Sequence, residues 1–162
     1  GLGGGSADAA FALKCLNTLF GLGLSDIDLA GYASRLGSDC AFFIYNRPMM
    51  GTGRGEVLSP FDIDLSRYEI HVVTPDIHVS TKEAYGGIVP RERREEGEGE
   101  PLADVLKRPV EEWKGALEND FEATVFARHP EIAAIKDDFY AQGALYAAMS
   151  GSGSSVFGIF AR

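Results

Sequence analysis

Gly1-Leu2-Gly3-Gly4-Gly5-Ser6-Ala7-Asp8-Ala9-Ala10 is a glycine-dense stretch that leads directly into a run with helical spacing. Glycine loses more conformational freedom on ordering than any other residue, so this density predicts a loop. The apolar residues that follow recur at the spacing of one helix face: Ala9, Leu13, Leu16 and Phe20. A loop that feeds a helix N-terminus offers backbone N–H groups to a phosphate. From these residues alone, a phosphate loop and an ordinary turn before a core helix are equally open.

The composition is that of a globular protein long enough to bury a core, with 45% hydrophobic and 24% charged residues among 162. A net charge of −9 and the lack of a basic stripe argue against a nucleic-acid partner. No apolar run approaches the roughly 18 residues of a membrane span. The two cysteines, Cys15 and Cys40, are expected to be buried and reduced, which indicates a cytoplasmic protein.

The first part of the chain is predicted to contain two helices and short strands. The first helix is expected over 6–20, with Ser6 as its N-cap. A second begins with a capping box at Ser25 and Asp28 and ends before Gly37. The apolar run 41–45 is predicted to be a strand, and the alternating glycines of 51–55 indicate a bulged hairpin or a close approach to a ligand.

Asp39 stands between the helix-ending Gly37 and the apolar run 41–45. Taken alone, an aspartate in this place favours an Asx-turn or a helix cap over a chemical role.

The second part of the chain is predicted to alternate strands and helices. We expect a strand over 68–74, a helix near 79–85 capped by Ser80 or Thr81, and a solvated charged loop over 91–100. A helical region from Pro101 is interrupted near Pro109, and a later helix starts at Pro130. Strands over 144–149 and 155–160 are joined by small residues.

Six blocks of this sequence, taken in order, resemble the GHMP kinases: 1–10, 36–43, 51–56, 79–85, 118–122 and 149–160. The resemblance implies an α+β fold. Residues 1–62 would be the second half of a ribosomal protein S5 domain 2-like, ATP-binding domain. Residues 63–162 would form a ferredoxin-like C-terminal domain.

The resemblance also implies roles for individual residues. Those implied to surround the ATP phosphates are Gly1, Leu2, Gly3, Gly4, Gly5 and Ser6. The hydroxyl of Ser6 is implied to help place the phosphates or Mg²⁺. Asp39 matches the catalytic aspartate, which accepts the proton of the substrate hydroxyl. The residues implied to lie near the substrate are Arg54, Tyr85, Gly151 and Gly153. For Tyr85, stacking on the cytosine and packing of its own helix are equally open.

Within the family, the blocks are most similar to the branch that phosphorylates the C2 hydroxyl of a cytidine diphosphate-linked methylerythritol in non-mevalonate isoprenoid synthesis. A mevalonate- or homoserine-type kinase and a non-catalytic nucleotide-binding fragment are the alternatives. A dinucleotide-binding domain is excluded because no βαβ pattern with the required acidic residue follows the glycines. The family's N-terminal strand and lysine have no counterpart here, so we expect a fragment without kinase activity of its own. A monomer and a homodimer are both open.

Overall fold

The computed structural model describes residues 1–53, 55–88 and 100–162. It divides into two compact units. The first, called the N-terminal unit, comprises Gly3–Ile63. The second, called the C-terminal unit, comprises Asp64–Arg162 together with Gly1–Leu2. The predicted charged loop at 91–100 lies outside the described residues, apart from Glu100.

The N-terminal unit consists of helices followed by a hairpin. Its elements are α1 (Gly4–Leu19), α2 (Asp26–Ala33), α3 (Cys40–Tyr45), β1 (Met49–Thr52) and β2 (Val57–Pro60). The two strands pair antiparallel, with Thr52 opposite Val57, as a hairpin at the alternating glycines requires. Buried residues of the three helices form its core: Ala10, Leu29, Ala30, Ala33, Cys40, Ala41 and Ile44.

Helix α1 begins two residues earlier than predicted, and Ser6 is not its N-cap. The N-cap is Gly3, which adopts the left-handed conformation with φ 68°. A side chain is strained at that φ, so the glycine determines where the helix starts. Two residues of the apolar face are exposed in this chain, because Phe20 is 67% exposed and Leu16 is exposed as well.

Helix α2 starts as predicted and ends earlier. The Ser25 hydroxyl accepts from the Asp28 N–H, and the Asp28 carboxylate accepts from the Ser25 N–H, which completes the capping box. The helix stops at Ala33 rather than continuing to Gly37.

The apolar run predicted as a strand is the helix α3. Its buried residues are Cys40, Ala41 and Ile44, a helical rather than an alternating spacing. A short apolar run fits either element, and here packing against α1 and α2 selects the helix.

The C-terminal unit is an antiparallel sheet with helices packed against it. Its elements are β3 (Tyr68–Val73), α4 (Thr81–Gly86), α5 (Leu102–Val105), a 3₁₀ turn (Val110–Glu112), α6 (Phe121–Arg128), α7 (Pro130–Ala141), β4 (Tyr146–Met149) and β5 (Val156–Ala161). The strand order is β3-β5-β4. The predicted strands, the Ser80 cap of α4 and the start of α7 at Pro130 are confirmed.

The core of the C-terminal unit lies between the sheet and α7. Ile132 and Phe139 of α7 pack with Met149 and Val156 of the strands. Gly158 allows this close packing, because a Cβ there would lie 2.8 Å from the Phe139 ring.

The two cysteines differ in their surroundings. Cys40 is buried as predicted, whereas Cys15 is exposed. The side of α1 that packs inward carries Ala10 and Leu13, and Cys15 lies on another side of the helix. Within the described residues, no helix has both the length and the apolar character needed to cross a membrane.

Candidate functional site

The glycine-rich loop ends in an uncapped helix N-terminus. Ala7 is the first residue whose N–H bonds back into α1, to the Gly3 carbonyl at 2.9 Å. The N–H groups of Gly4, Gly5 and Ser6 therefore fall outside the helical hydrogen-bond pattern, and Gly3 has no side chain to cap them. Such N–H groups, at the positive end of a helix dipole, suit a phosphate.

The glycines of this loop fall into two classes. The fold itself requires Gly3, because a Cβ there would lie 3.0 Å from the Phe43 ring at φ +68°. By contrast, a Cβ on Gly4 or Gly5 would meet nothing within 4 Å. Alanine stabilises a helix more than glycine does, so the fold gives no reason for glycine at these two positions. A phosphate that approaches the backbone closely supplies a reason.

Ser6 lies in the first turn of α1 and is half-buried. Because Gly3 is the N-cap, the Ser6 hydroxyl has no capping role.

Asp39 occupies the N-cap position of α3, but its side chain makes no capping hydrogen bond. The carboxylate is exposed. The capping role that the sequence favoured is therefore not realised. The carboxylate is therefore accessible to a hydrogen bond from a bound hydroxyl.

The turn between β4 and β5 contains Gly151 and Gly153, both with positive φ, at 53° and 85°. The Ser150 N–H donates to the Ser155 carbonyl at 2.8 Å, and the Gly153 N–H donates to the Ser150 carbonyl at 3.0 Å. A Cβ on Gly153 would lie 2.7 Å from the Met149 sulfur. This tight turn therefore favours glycine at that position, because a side chain there would be strained at its positive φ.

The same turn contacts the first residue of the glycine-rich loop. The Ser150 hydroxyl donates to the Gly1 carbonyl at 2.7 Å. A Cβ on Gly1 would lie 2.9 Å from the Ser155 nitrogen. Of the predicted site residues, Gly1 and Gly151 are thus brought together within the C-terminal unit.

Asn119 and Glu122 hold this turn, although the sequence analysis names neither of them as a site residue. The Asn119 amide donates to the carbonyls of Met149 and Gly151, both at 2.8 Å. Glu122 accepts from the Met149 N–H at 2.8 Å. Both residues lie in the block 118–122, so the resemblance marked this segment. It did not indicate that the two side chains bind the β4–β5 turn.

Tyr85 lies near the end of α4 and is 62% exposed. Its ring meets the Phe121 ring edge-to-face, with centroids 4.9 Å apart. The Phe121 ring thus supports the tyrosine on one side, while most of the residue stays exposed. Arg54, the other side chain predicted to contact the substrate, lies outside the described residues.

An ion-pair cluster holds α4 against α6. Glu83 of α4 contacts His129 at 3.2 Å and Arg128 at 3.5 Å. The hydrogen bond with His129 is the main cause that lowers the pKa of Glu83 below its usual 4.5. This cluster links the helix that carries Tyr85 to the end of α6.

Other features of the surface do not coincide with the predicted site. A cleft of about 510 Å³ in the C-terminal unit is lined by Lys114, Asn119, Glu122, Lys136 and Tyr140, among others. It contains none of the residues predicted to bind ATP or substrate. Over residues 1–53, 55–88 and 100–162, no group of three or more His, Cys, Asp or Glu side chains is arranged to hold a metal ion.

Two family models match the chain, each over one part of it. The GHMP kinases N terminal domain matches residues 1–47. The GHMP kinases C terminal model matches residues 102–162.

Curated relatives match along almost the whole chain. A 4-diphosphocytidyl-2-C-methyl-D-erythritol kinase of Bacteroides fragilis is 51% identical over 160 residues, which cover 99% of this chain and 57% of the relative. A kinase of the same name from Azobacteroides pseudotrichonymphae is 49% identical, with 100% of this chain and 59% of the relative covered. The chain therefore spans somewhat more than half the length of these relatives.

A solved structure has the same fold. The crystal structure of a 4-(cytidine 5'-diphospho)-2C-methyl-D-erythritol kinase matches with a TM-score of 0.75 at 30% sequence identity. The match covers 97% of this chain and 56% of that one.

Proposed function

The chain belongs to the GHMP kinase family, and on this premise we propose that it is part of an ATP-dependent kinase of the C2 hydroxyl of 4-diphosphocytidyl-2-C-methyl-D-erythritol. The observation that carries the proposal is the 51% identity to a kinase of that name over 99% of this chain. Residues 1–62 are assigned to the ATP-binding domain and 63–162 to the C-terminal domain of that enzyme.

We assign ATP binding to the glycine-rich loop, residues Gly1, Leu2, Gly3, Gly4, Gly5 and Ser6. The support is the uncapped start of α1 and the open space over Gly4 and Gly5. Backbone N–H groups there donate to phosphate oxygens, and the absence of Cβ atoms lets the phosphates approach.

Mg²⁺ bound with ATP would neutralise charge that develops on the phosphate oxygens. Magnesium in phosphate sites is held mostly by the phosphates and water, with few protein ligands. A single hydroxyl such as that of Ser6, beside the uncapped N–H groups, fits this pattern.

Asp39 is the proposed general base. Its carboxylate accepts the proton of the C2 hydroxyl while that oxygen forms a bond to the γ-phosphorus and the bond to ADP breaks. General-base help of this kind is worth about 10²–10⁴-fold in rate. The support from geometry is a carboxylate that is exposed and makes no capping hydrogen bond.

The cytidine end of the substrate is assigned to Arg54 and Tyr85, and the turn residues Gly151 and Gly153 are assigned a supporting role beside it. The exposed, one-sided packing of Tyr85 supports stacking on a base. We further propose that the enzyme is cytoplasmic, in keeping with its two unpaired cysteines.

A panel of alcohols tests the substrate assignment. The product of the complete gene is assayed for ADP release with 4-diphosphocytidyl-2-C-methyl-D-erythritol, mevalonate and homoserine, and the product is identified by phosphorus NMR. We expect kcat/KM to favour the cytidylyl substrate by about a hundredfold or more, because a site built to bond the nucleotide rejects alcohols that lack it. Faster phosphorylation of mevalonate or homoserine would contradict the assignment.

A further inference from the structure

One side chain holds both ends of the residue that contacts the glycine-rich loop. The Asn119 Nδ2 donates to the carbonyls of Met149 and Gly151, each at 2.8 Å. The residue between them is Ser150, whose hydroxyl donates to the Gly1 carbonyl at 2.7 Å. The backbone on both sides of Ser150 is thus held by one amide group.

Asn119 is itself anchored at the start of α6. Its Oδ1 accepts from the Phe121 N–H at 3.0 Å. Three residues on, Glu122 accepts from the Met149 N–H at 2.8 Å, and its second oxygen pairs with Lys136 of α7. The Glu122 side chain is only 14% exposed. The turn is therefore tied to two helices.

We propose that Asn119 is a positioning residue for ATP binding, acting through Ser150 on the carbonyl of Gly1. The proposal rests on the proposed function, because it takes the glycine-rich loop to be the ATP site. A primary amide suits this task, since it offers two N–H donors and one acceptor in a single plane. Neither a carboxylate nor a hydroxyl supplies that set.

The test replaces Asn119 by aspartate in the product of the complete gene. Asn119→Asp keeps the acceptor for the Phe121 N–H but replaces the Nδ2 donor by a carboxylate oxygen that faces two carbonyl oxygens. We expect the KM for ATP and the Kd of a non-hydrolysable ATP analogue each to rise about tenfold, because a displaced loop loses phosphate contacts. A purely structural role would lower the folded fraction without changing either constant.

Asn17 provides a matched control in the N-terminal unit. Its amide bonds both the carbonyl and the N–H of Leu24, each at 3.0 Å, so it also ties down a turn by the same chemistry. Asn17→Asp is expected to lower thermal stability and to leave the KM for ATP within twofold. An ATP constant within twofold of wild type in folded Asn119→Asp would overturn the proposal.

Ser150→Ala is a second variant that tests whether Asn119 affects ATP binding through Ser150. Because Asn119 acts through Ser150, the effects of the two substitutions on ATP affinity should be less than additive in the double variant. Full additivity, or an unchanged affinity in Ser150→Ala, would contradict the proposal.

A protein that binds ATP but does not phosphorylate the cytidylyl alcohol would refute the proposed function while leaving the analogue-binding test valid. A wild type that binds no ATP would refute both.

Discussion

Gly5→Ala is expected to make the protein more stable and a poorer ATP binder. Gly5 lies in the first turn of α1, and a Cβ there would meet nothing within 4 Å. Alanine is favoured over glycine in a helix by about 0.5–1 kcal/mol. Since 1 kcal/mol corresponds to about 2–4 °C in a domain of this size, the melting temperature should rise by up to about 4 °C.

The loss in binding follows from the same methyl group. Each hydrogen bond from a backbone N–H to a charged phosphate is worth about 1.5–3 kcal/mol. If the methyl group holds the phosphate away from one such N–H, the KM for ATP should rise by about 10- to 150-fold. The expected pattern, more stable but less able to bind ATP, is one that simple destabilisation cannot produce.

Thermal unfolding and steady-state kinetics of the complete gene product measure the two effects. Gly31→Ala is the matched control, because Gly31 also lies in a helix, α2, with nothing within 4 Å of a Cβ. It should give a similar rise in melting temperature with unchanged ATP kinetics. If Gly5→Ala left the KM for ATP unchanged, as is expected of Gly31→Ala, the inference that a phosphate closely approaches the backbone at Gly5 would be refuted.

Three other predictions concern the C-terminal unit. Tyr85→Ala should raise the KM for the cytidylyl substrate by about 5- to 150-fold, the equivalent of 1–3 kcal/mol of lost stacking. Its KM for ATP should stay near the wild-type value, and Tyr85→Phe should keep both constants near wild type. Gly153→Ala should lower the unfolding free energy by about 1–3 kcal/mol in a denaturant titration, because a Cβ at φ +85° would also meet the Met149 sulfur; an unchanged midpoint would refute the packing argument. The pKa of Glu83 is lowered in the folded chain, mainly by His129, so the ionised carboxylate stabilises the fold above about pH 4.5 and this stability is lost as pH falls through the folded pKa. Between pH 6 and 3, the free energy of unfolding of wild type should therefore fall more than that of Glu83→Gln. Parallel pH curves for the two proteins would contradict this.

Local signals in the sequence were sufficient for much of the fold. The capping box of Ser25 and Asp28, the Ser80 cap and the Pro130 start each depend on residues within one helical turn, and each is present. The β4–β5 hairpin followed from apolar runs on either side of small turn residues.

Two errors arose where tertiary packing decides. The run 41–45 is short and wholly apolar, so its periodicity fits a strand or a helix, and burial of Ile44 against other helices selects α3. The start of α1 depends on the left-handed conformation of Gly3, which stands among four other glycine or serine candidates. The sequence offered no way to choose among them.

The hydrogen bonds that support the β4–β5 turn were not predictable from the sequence. The bonds from Asn119 and Glu122 to the β4–β5 turn span 27 to 32 residues. No spacing rule reports contacts over such a distance, so the support of the turn became visible only in the folded chain.

The role of Asp39 is the centre of the proposed mechanism, and one comparison tests it directly. The complete gene product and its Asp39→Asn variant are assayed with ATP and 4-diphosphocytidyl-2-C-methyl-D-erythritol, and ATP affinity is measured in parallel. We expect kcat to fall by about 10²–10⁴-fold, with the Kd for ATP within about threefold of wild type, because asparagine keeps the shape but cannot accept the proton. A near-normal kcat in Asp39→Asn would contradict the mechanism.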